Sequence, residues 1–255
     1  MNMTCTYILT VCIGSIALLH SLQVSAAGKA SGRIEDWQNP AIFERNRLQM
    51  RSSFKTDSPT LSLNGLWKFK WYATPEERSR DFFSVRTDVS GWDEMPVPGM
   101  WELNGYGDPV YLNIGYAWRG HYDNNPPFVP TDRNHVGQYK RTFSVDRSWN
   151  GKDIFLHIGS ATSNVRVWIN GHEVGYSEDS KLEAEFDITK FVRTGTGNEV
   201  AFEIFRWCDG TYLEDQDFWR MTGIARDTYI YARPTDRVED IPVSYTHLTL
   251  PTKLE

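Results

Sequence analysis

Between Leu61 and Ala232, apolar residues recur at every second position in short runs broken by Gly, Asn, Asp and Pro. This pattern predicts antiparallel strands with one buried face, and few helices. Trp67, Phe69 and Trp71 share one face of a predicted strand while Lys68 and Lys70 take the other, as a period of two requires. Ile154, Leu156 and Ile158 repeat the pattern, as do Val165, Val167 and Ile169 up to Asn170-Gly171, a dipeptide that tolerates positive φ in a two-residue hairpin turn. Val200, Phe202 and Ile204 alternate with Glu203 and Phe205, and Tyr229 and Tyr231 alternate with Thr228, Ile230 and Ala232. Across the region from Leu61 to Ala232, at least seven strand candidates of this kind can be read, a count that suits a jelly-roll β-sandwich. One short helix is predicted at Thr74-Pro75-Glu76-Glu77, where Thr74 can cap, Pro75 suits the first helical position and Glu77 can close a capping box. From Gly105 to Asn134 the alternation gives way to Gly, Pro, Asn and aromatic residues, a loop long enough to suggest a functional task.

The two ends read differently. An apolar run from Tyr7 to Leu19, a polar stretch and then Val24-Ser25-Ala26-Ala27 form a secretory-signal pattern. The run is too short to cross about 30 Å of hydrocarbon, and no cation precedes it, the first being Lys29. Residues 1–26 are therefore expected to be removed, which points to an exported, periplasmic or secreted protein with no transmembrane segment in its mature form. That cleavage would remove Cys5 and Cys12 and leave Cys208 alone, with no internal disulfide. At the other end, Val243 to Thr252 looks like the in-frame translation of a transposase sequencing adapter, so residues 243–255 are set aside from the fold.

Composition narrows the function. In 255 residues, 14 % aromatic and 40 % hydrophobic content promise a packed core, and a net charge of −6 with no basic block argues against nucleic acid as partner. No Gly-rich phosphate loop, His-x-x-x-His pair or nucleophile elbow is present. Asn113 carries both a donor and an acceptor, which suits a sugar hydroxyl, and Asp217 can share its oxygens between a hydroxyl and a hard cation. The same residues also suit a turn cap and a solvated acidic edge. Trp101, Tyr106, Tyr111, Trp118 and Trp219 are candidates for stacking on a pyranose face. Trp118 is favoured because it lies in the irregular loop. His121, His135, His157 and His172 lack metal-site spacing and receive no catalytic role.

Three stretches resemble the amino-terminal region of the β-galactosidases of glycoside hydrolase family two. They are Asp36-Trp37-Gln38-Asn39-Pro40 with Asn46-Arg47, then Asn125-Pro126-Pro127-Phe128-Val129-Pro130-Thr131, and finally Arg206-Trp207-Cys208-Asp209-Gly210 running on through Tyr212-Leu213-Glu214-Asp215-Gln216-Asp217 to Trp219-Arg220-Met221. Gly175-Tyr176, Asp179-Ser180 and Glu185-Phe186-Asp187 keep the same order between them, so the resemblance runs from about Asp36 to Ala232. It implies an all-β, galactose-binding-like jelly roll over residues 61–235, preceded by an extension at 27–60 and followed at 236–242 by the start of an immunoglobulin-like domain. The catalytic TIM barrel of the family is missing from this chain.

The resemblance also implies roles. Asn113, in Pro109-Val110-Tyr111-Leu112-Asn113, matches the Asn that reaches the galactosyl pocket, and Asp217 matches the Asp that binds galactose hydroxyls and a monovalent cation, normally sodium. Magnesium is expected in the missing barrel, as are the two Glu residues of a retaining mechanism, so no catalytic residue is assigned here. The stretch Ile114 to Asn125, with Trp118, Arg119 and His121, is longer than in the best-known enteric member. The expected function is release of terminal β-D-galactose from a β-galactoside substrate by the intact enzyme, with a homotetramer as its oligomer. Two alternatives stay open: a relative acting on β-glucuronides or β-mannosides, and a secreted stand-alone carbohydrate-binding module.

Overall fold

The computed structural model describes residues 34–50 and 57–239. The predicted signal segment and the adapter-like tail lie outside them. Two antiparallel sheets face each other. The larger has seven strands in the order Glu44–Arg45, His172–Ser177, Val165–Ile169, Gly197–Phe205, Val136–Ser144, Gly65–Tyr72 and Asp93–Val97. The smaller has four, in the order Ala184–Asp187, Asp153–Ile158, Thr228–Arg233 and Thr60–Ser62.

The alternation seen in the sequence decides which side chains meet. Trp67, Phe69, Tyr139, Val167, Val200, Phe202 and Ile204 from the large sheet pack with Leu156, Ile158, Phe186, Ile230 and Ala232 from the small one. Burying side chains of this size is worth about 1.5–3 kcal/mol each, and the rings interlock, with Trp67 stacked on Phe202 at 4.8 Å. Asn170 and Gly171 both take positive φ, at 52° and 83°, and close a hairpin in which Ile169 pairs with His172. Gly137 is required for a different reason: a Cβ there would sit 2.3 Å from the Trp101 ring. Its absence lets that indole lie against the sheet.

The other face of the large sheet is covered as well. Phe82, Phe83 and Trp92 pack on Trp168 and Ala201, and the segment beginning at Ile34 is clipped on by charge. Arg78 pairs with Glu35 and lies 3.4 Å from Glu203, which also accepts from Gln138 at 2.7 Å. Asp36 accepts from Arg45 at 2.6 Å and also pairs with Arg166. Charged residues buried in this way need partners of opposite sign, and these have them.

The helix expected at 74–77 is a turn. Glu77 reaches past Thr74 to the Ala73 amide at 3.3 Å, and Arg78 donates to the Pro75 carbonyl. Ion pairing of Arg78 draws the chain onto the sheet before a second helical turn can form, and one turn alone does not offset the cost of nucleation. The stretch from Gly105 to Asn134 also differs from expectation, because it contains the strand Val110–Leu112.

Candidate functional site

Val110–Leu112 pairs with Phe218–Arg220 to form a two-stranded ribbon at one edge of the sandwich, with Tyr111 opposite Trp219 and Leu112 opposite Phe218. Asn113 directly follows the first of these strands and Asp217 directly precedes the second, both in bends beyond the last paired residues. Tyr111 and Trp219, directly opposite in the ladder, share one face of the ribbon. The hydroxyl of Tyr111 donates to Asp217 Oδ1 at 2.5 Å, and this bond raises the pKa of the phenol. Asn113 and Asp217 are exposed. The rings of Tyr111 and Trp219, 52 % and 54 % exposed, lie 5.5 Å apart.

The base of the ribbon is fixed. Thr222 donates its amide to Glu102 at 2.8 Å and accepts from the Trp101 amide at 2.8 Å, while Gly223–Ile224 pairs with both Gly99–Met100 and Ala161–Thr162. The acidic run before the strand divides its labour. Glu214 pairs with Lys181, and Asp215 accepts the Gly115 amide at 2.7 Å. Arg220 donates to the carbonyls of Glu214 and Gln216 at 2.6 and 2.8 Å. These contacts pin the turn, and Asp217 at its end accepts from the Tyr111 hydroxyl.

The opposite face of the ribbon lines a small cleft that includes Ser163, Lys181, Glu214, Phe218 and Arg220. Phe218 lies between two cations, 4.5 Å from Lys181 Nζ and 4.2 Å from the Arg220 guanidinium, an arrangement that favours both charges over its ring. Neither Asn113 nor Asp217 lines this cleft.

Trp118 is only 1 % exposed. It is stacked on Tyr116 and takes edge contacts from Trp207 and Tyr212, while its indole N–H donates to Asn124 at 2.9 Å. It anchors a second core with Trp37, Val129, Phe205 and Cys208, so in this structure the ring has no free face to offer a sugar. The sequence did hold a better guide. Alternation through Asp217-Phe218-Trp219-Arg220 sets Trp219 beside Asp217, whereas irregularity around Trp118 says only that the backbone lacks a ladder.

A buried acid cluster lies behind the ribbon. The carboxyl groups of Glu178 and Asp209 and the thiol of Cys208 are all buried within 4.8 Å of one another, close enough to share a cation or a proton. Burial and the hydrogen bond to Asp209 push the Glu178 carboxyl up to about 9, against the lowering effect of Tyr176. His135 is moved the other way, down to about 4, by burial and by the neighbouring Arg206. It is neutral at pH 7 and packs against Trp71 at 4.7 Å. At the ribbon tip the donors are oxygens, from Asp217 and the Tyr111 hydroxyl, a set that fits a hard monovalent cation better than a soft metal.

The sequence profile described as "Glycosyl hydrolases family 2, sugar binding domain" matches residues 60–234. The chain belongs to this family. It is 40 % identical over 228 residues to a β-galactosidase of Priestia megaterium, covering 84 % of this chain and 22 % of that protein. To a β-galactosidase of Halalkalibacterium halodurans it is 41 % identical over 182 residues, covering 71 % and 18 %. The chain thus spans about a fifth of the length of these curated relatives, and the catalytic barrel is absent from it. Among solved structures it is similar to Bacteroides uniformis β-glucuronidase 2, with a TM-score of 0.53 at 23 % identity over 70 % of this chain and 18 % of that one. It is also similar to an uncultured Clostridium sp. β-glucuronidase, with a TM-score of 0.52 at 20 % identity over 74 % and 31 %. At such identities these structures establish the shared sandwich fold.

Proposed function

We propose that this family 2 domain is the sugar-binding wall of an exported, retaining β-galactosidase that releases terminal β-D-galactose. The observation that carries the reading is the end of the ribbon, where the Tyr111 hydroxyl donates to Asp217 and Asn113 directly follows the strand that carries Tyr111. Asn113 supplies an amide that can donate to one hydroxyl and accept from another. Asp217 accepts hydroxyl protons and, with Tyr111, offers oxygens to sodium. Such contacts orient the glycosidic bond for two carboxyl groups that the barrel contributes, together with its magnesium. The family resemblance further supports a homotetramer.

The ~40 % identical relatives, both β-galactosidases, support a galactoside over a glucuronide as substrate.

The test is kinetic, in the intact enzyme. Asn113→Ala should raise KM for a β-galactoside roughly threefold to tenfold, the loss of about one hydrogen bond, and Asp217→Asn should blunt activation by sodium. Unchanged KM and an unchanged sodium response would remove these roles.

A further inference from the structure

We propose that, independently of any sugar bound by the intact protein, Asn150 is a site of spontaneous modification, where this chain deamidates through a succinimide to aspartate or isoaspartate. Four Asn-Gly dipeptides occur in the sequence, beginning at Asn64, Asn104, Asn150 and Asn170. All four offer the same local chemistry, because a glycine amide with no side chain beside it can reach the carboxamide carbon of the preceding Asn. The fold treats them differently. Asn170 donates to the Phe191 carbonyl at 2.8 Å and to Asn198 at 2.9 Å, and accepts the Glu199 amide at 2.9 Å. Asn64 donates to Asp227 and accepts the Thr228 amide, both at 2.9 Å. Asn104 donates to the Met100 carbonyl at 2.7 Å. The Asn150 carboxamide has no hydrogen-bond partner among the described residues, so nothing holds it away from the reaction.

The backbone at Asn150 also permits the attack. Asn150 has φ −59° and ψ 132°, Gly151 has φ 79°, and the Lys152 amide donates to the Trp149 carbonyl at 3.1 Å. These values describe a type II turn, whose central peptide plane can flip to the type I arrangement while the flanking residues stay in place. The flip sweeps the Gly151 nitrogen past the Asn150 side chain. No backbone hydrogen bond of the turn uses the Gly151 amide, and a Cβ at Gly151 would meet nothing within 4 Å, so the succinimide ring has room. In the step itself, the Gly151 nitrogen bonds to Asn150 Cγ as the Cγ–Nδ2 bond breaks, and ammonia leaves with the proton that the Gly151 amide gives up. Water then opens the ring. Breaking the new N–Cγ bond restores the backbone with an aspartate side chain. Breaking the original peptide bond instead routes the chain through Cγ, which inserts a methylene just before the strand Asp153–Ile158.

The test holds the 255-residue chain folded at mildly alkaline pH, digests it with trypsin at intervals, and maps the exchange of ammonia for water by tandem mass spectrometry. Asn150, in the peptide Ser148-Trp149-Asn150-Gly151-Lys152, should convert at least roughly tenfold faster than Asn64 or Asn170, which must first give up two or three hydrogen bonds, and roughly threefold faster than Asn104, which gives up one. Labelling by an isoaspartyl methyltransferase should mark the same peptide, and Asn150→Gln should remove that mark. In urea, where local sequence alone acts, all four sites should convert at similar rates. Conversion of Asn150 no faster than the other three in the folded chain would overturn the proposal. The same rank order in urea as in the folded chain would trace the difference to sequence and overturn it too.

Discussion

The interior of the sandwich and the ribbon at its edge are built from the same alternating strands but spend their aromatic residues in opposite ways. In the interior, Trp67, Phe69, Tyr139 and Phe202 are almost completely buried and touch one another along the inner face of the large sheet. In the ribbon, Tyr111 and Trp219 face water, and the strands are fixed by polar contacts at their base and turn. The contrast separates residues that make the fold from residues that the fold presents. Rings left in water forgo the stability that burial supplies in the interior.

Substitutions should reproduce that contrast in stability. Trp67→Ala should cost about 3–5 kcal/mol in urea unfolding, as large core truncations do, whereas Trp219→Ala should change stability by less than about 0.5 kcal/mol. Comparable losses at both positions would erase the distinction between the two regions. The acid cluster behind the ribbon gives the next largest effect. With the Glu178 carboxyl raised from 4.5 to about 9 in the fold, its contribution is fully present below pH 4.5 and is lost as pH rises towards 9. Glu178→Gln should flatten this part of the stability profile and raise stability at pH 8 relative to the parent, with thermal unfolding across pH 5–9 as the check. A variant with the parent's pH slope would show that Glu178 does not hold the proton.

Smaller changes sharpen the picture of the turns. Gly171→Ala, at φ 83°, should cost about 1 kcal/mol because L residues disfavour that region. A neutral result would mean that the hairpin relaxes. Asp215→Ala should lower stability by no more than about 1 kcal/mol while speeding hydrogen exchange at the Gly115 amide. Unaltered exchange there would count against the anchoring of the ribbon loop by this carboxylate.

The sandwich was legible in the sequence because a period of two is a property of each strand alone. Ile154 to Ile158, Val165 to Ile169 and the Asn170-Gly171 turn behave as their local pattern dictates. The turn at 74–77 was misread because its conformation is decided by Arg78 pairing with Glu35 and Glu203, residues distant in the chain. Trp118 was misread for a related reason. A loop without alternation can still fold its rings into a core, and the partners Trp207 and Tyr212 come from elsewhere in the chain. Asn113 and Asp217 were named through family resemblance, whereas the placing of Tyr111 opposite Trp219 and its bond to Asp217 became visible only when two strands some hundred residues apart were paired.

The most direct test of the galactoside-binding account compares methyl β-galactoside with methyl β-glucuronide on the ¹⁵N-labelled chain, reading the side-chain amide of Asn113 and repeating each titration in Asp217→Asn. The galactoside should shift the Asn113 amide and lose affinity in Asp217→Asn, while the glucuronide should leave the parent unaffected and gain affinity when the opposing carboxylate is removed. Equal or stronger binding of the glucuronide to the parent chain would contradict the account.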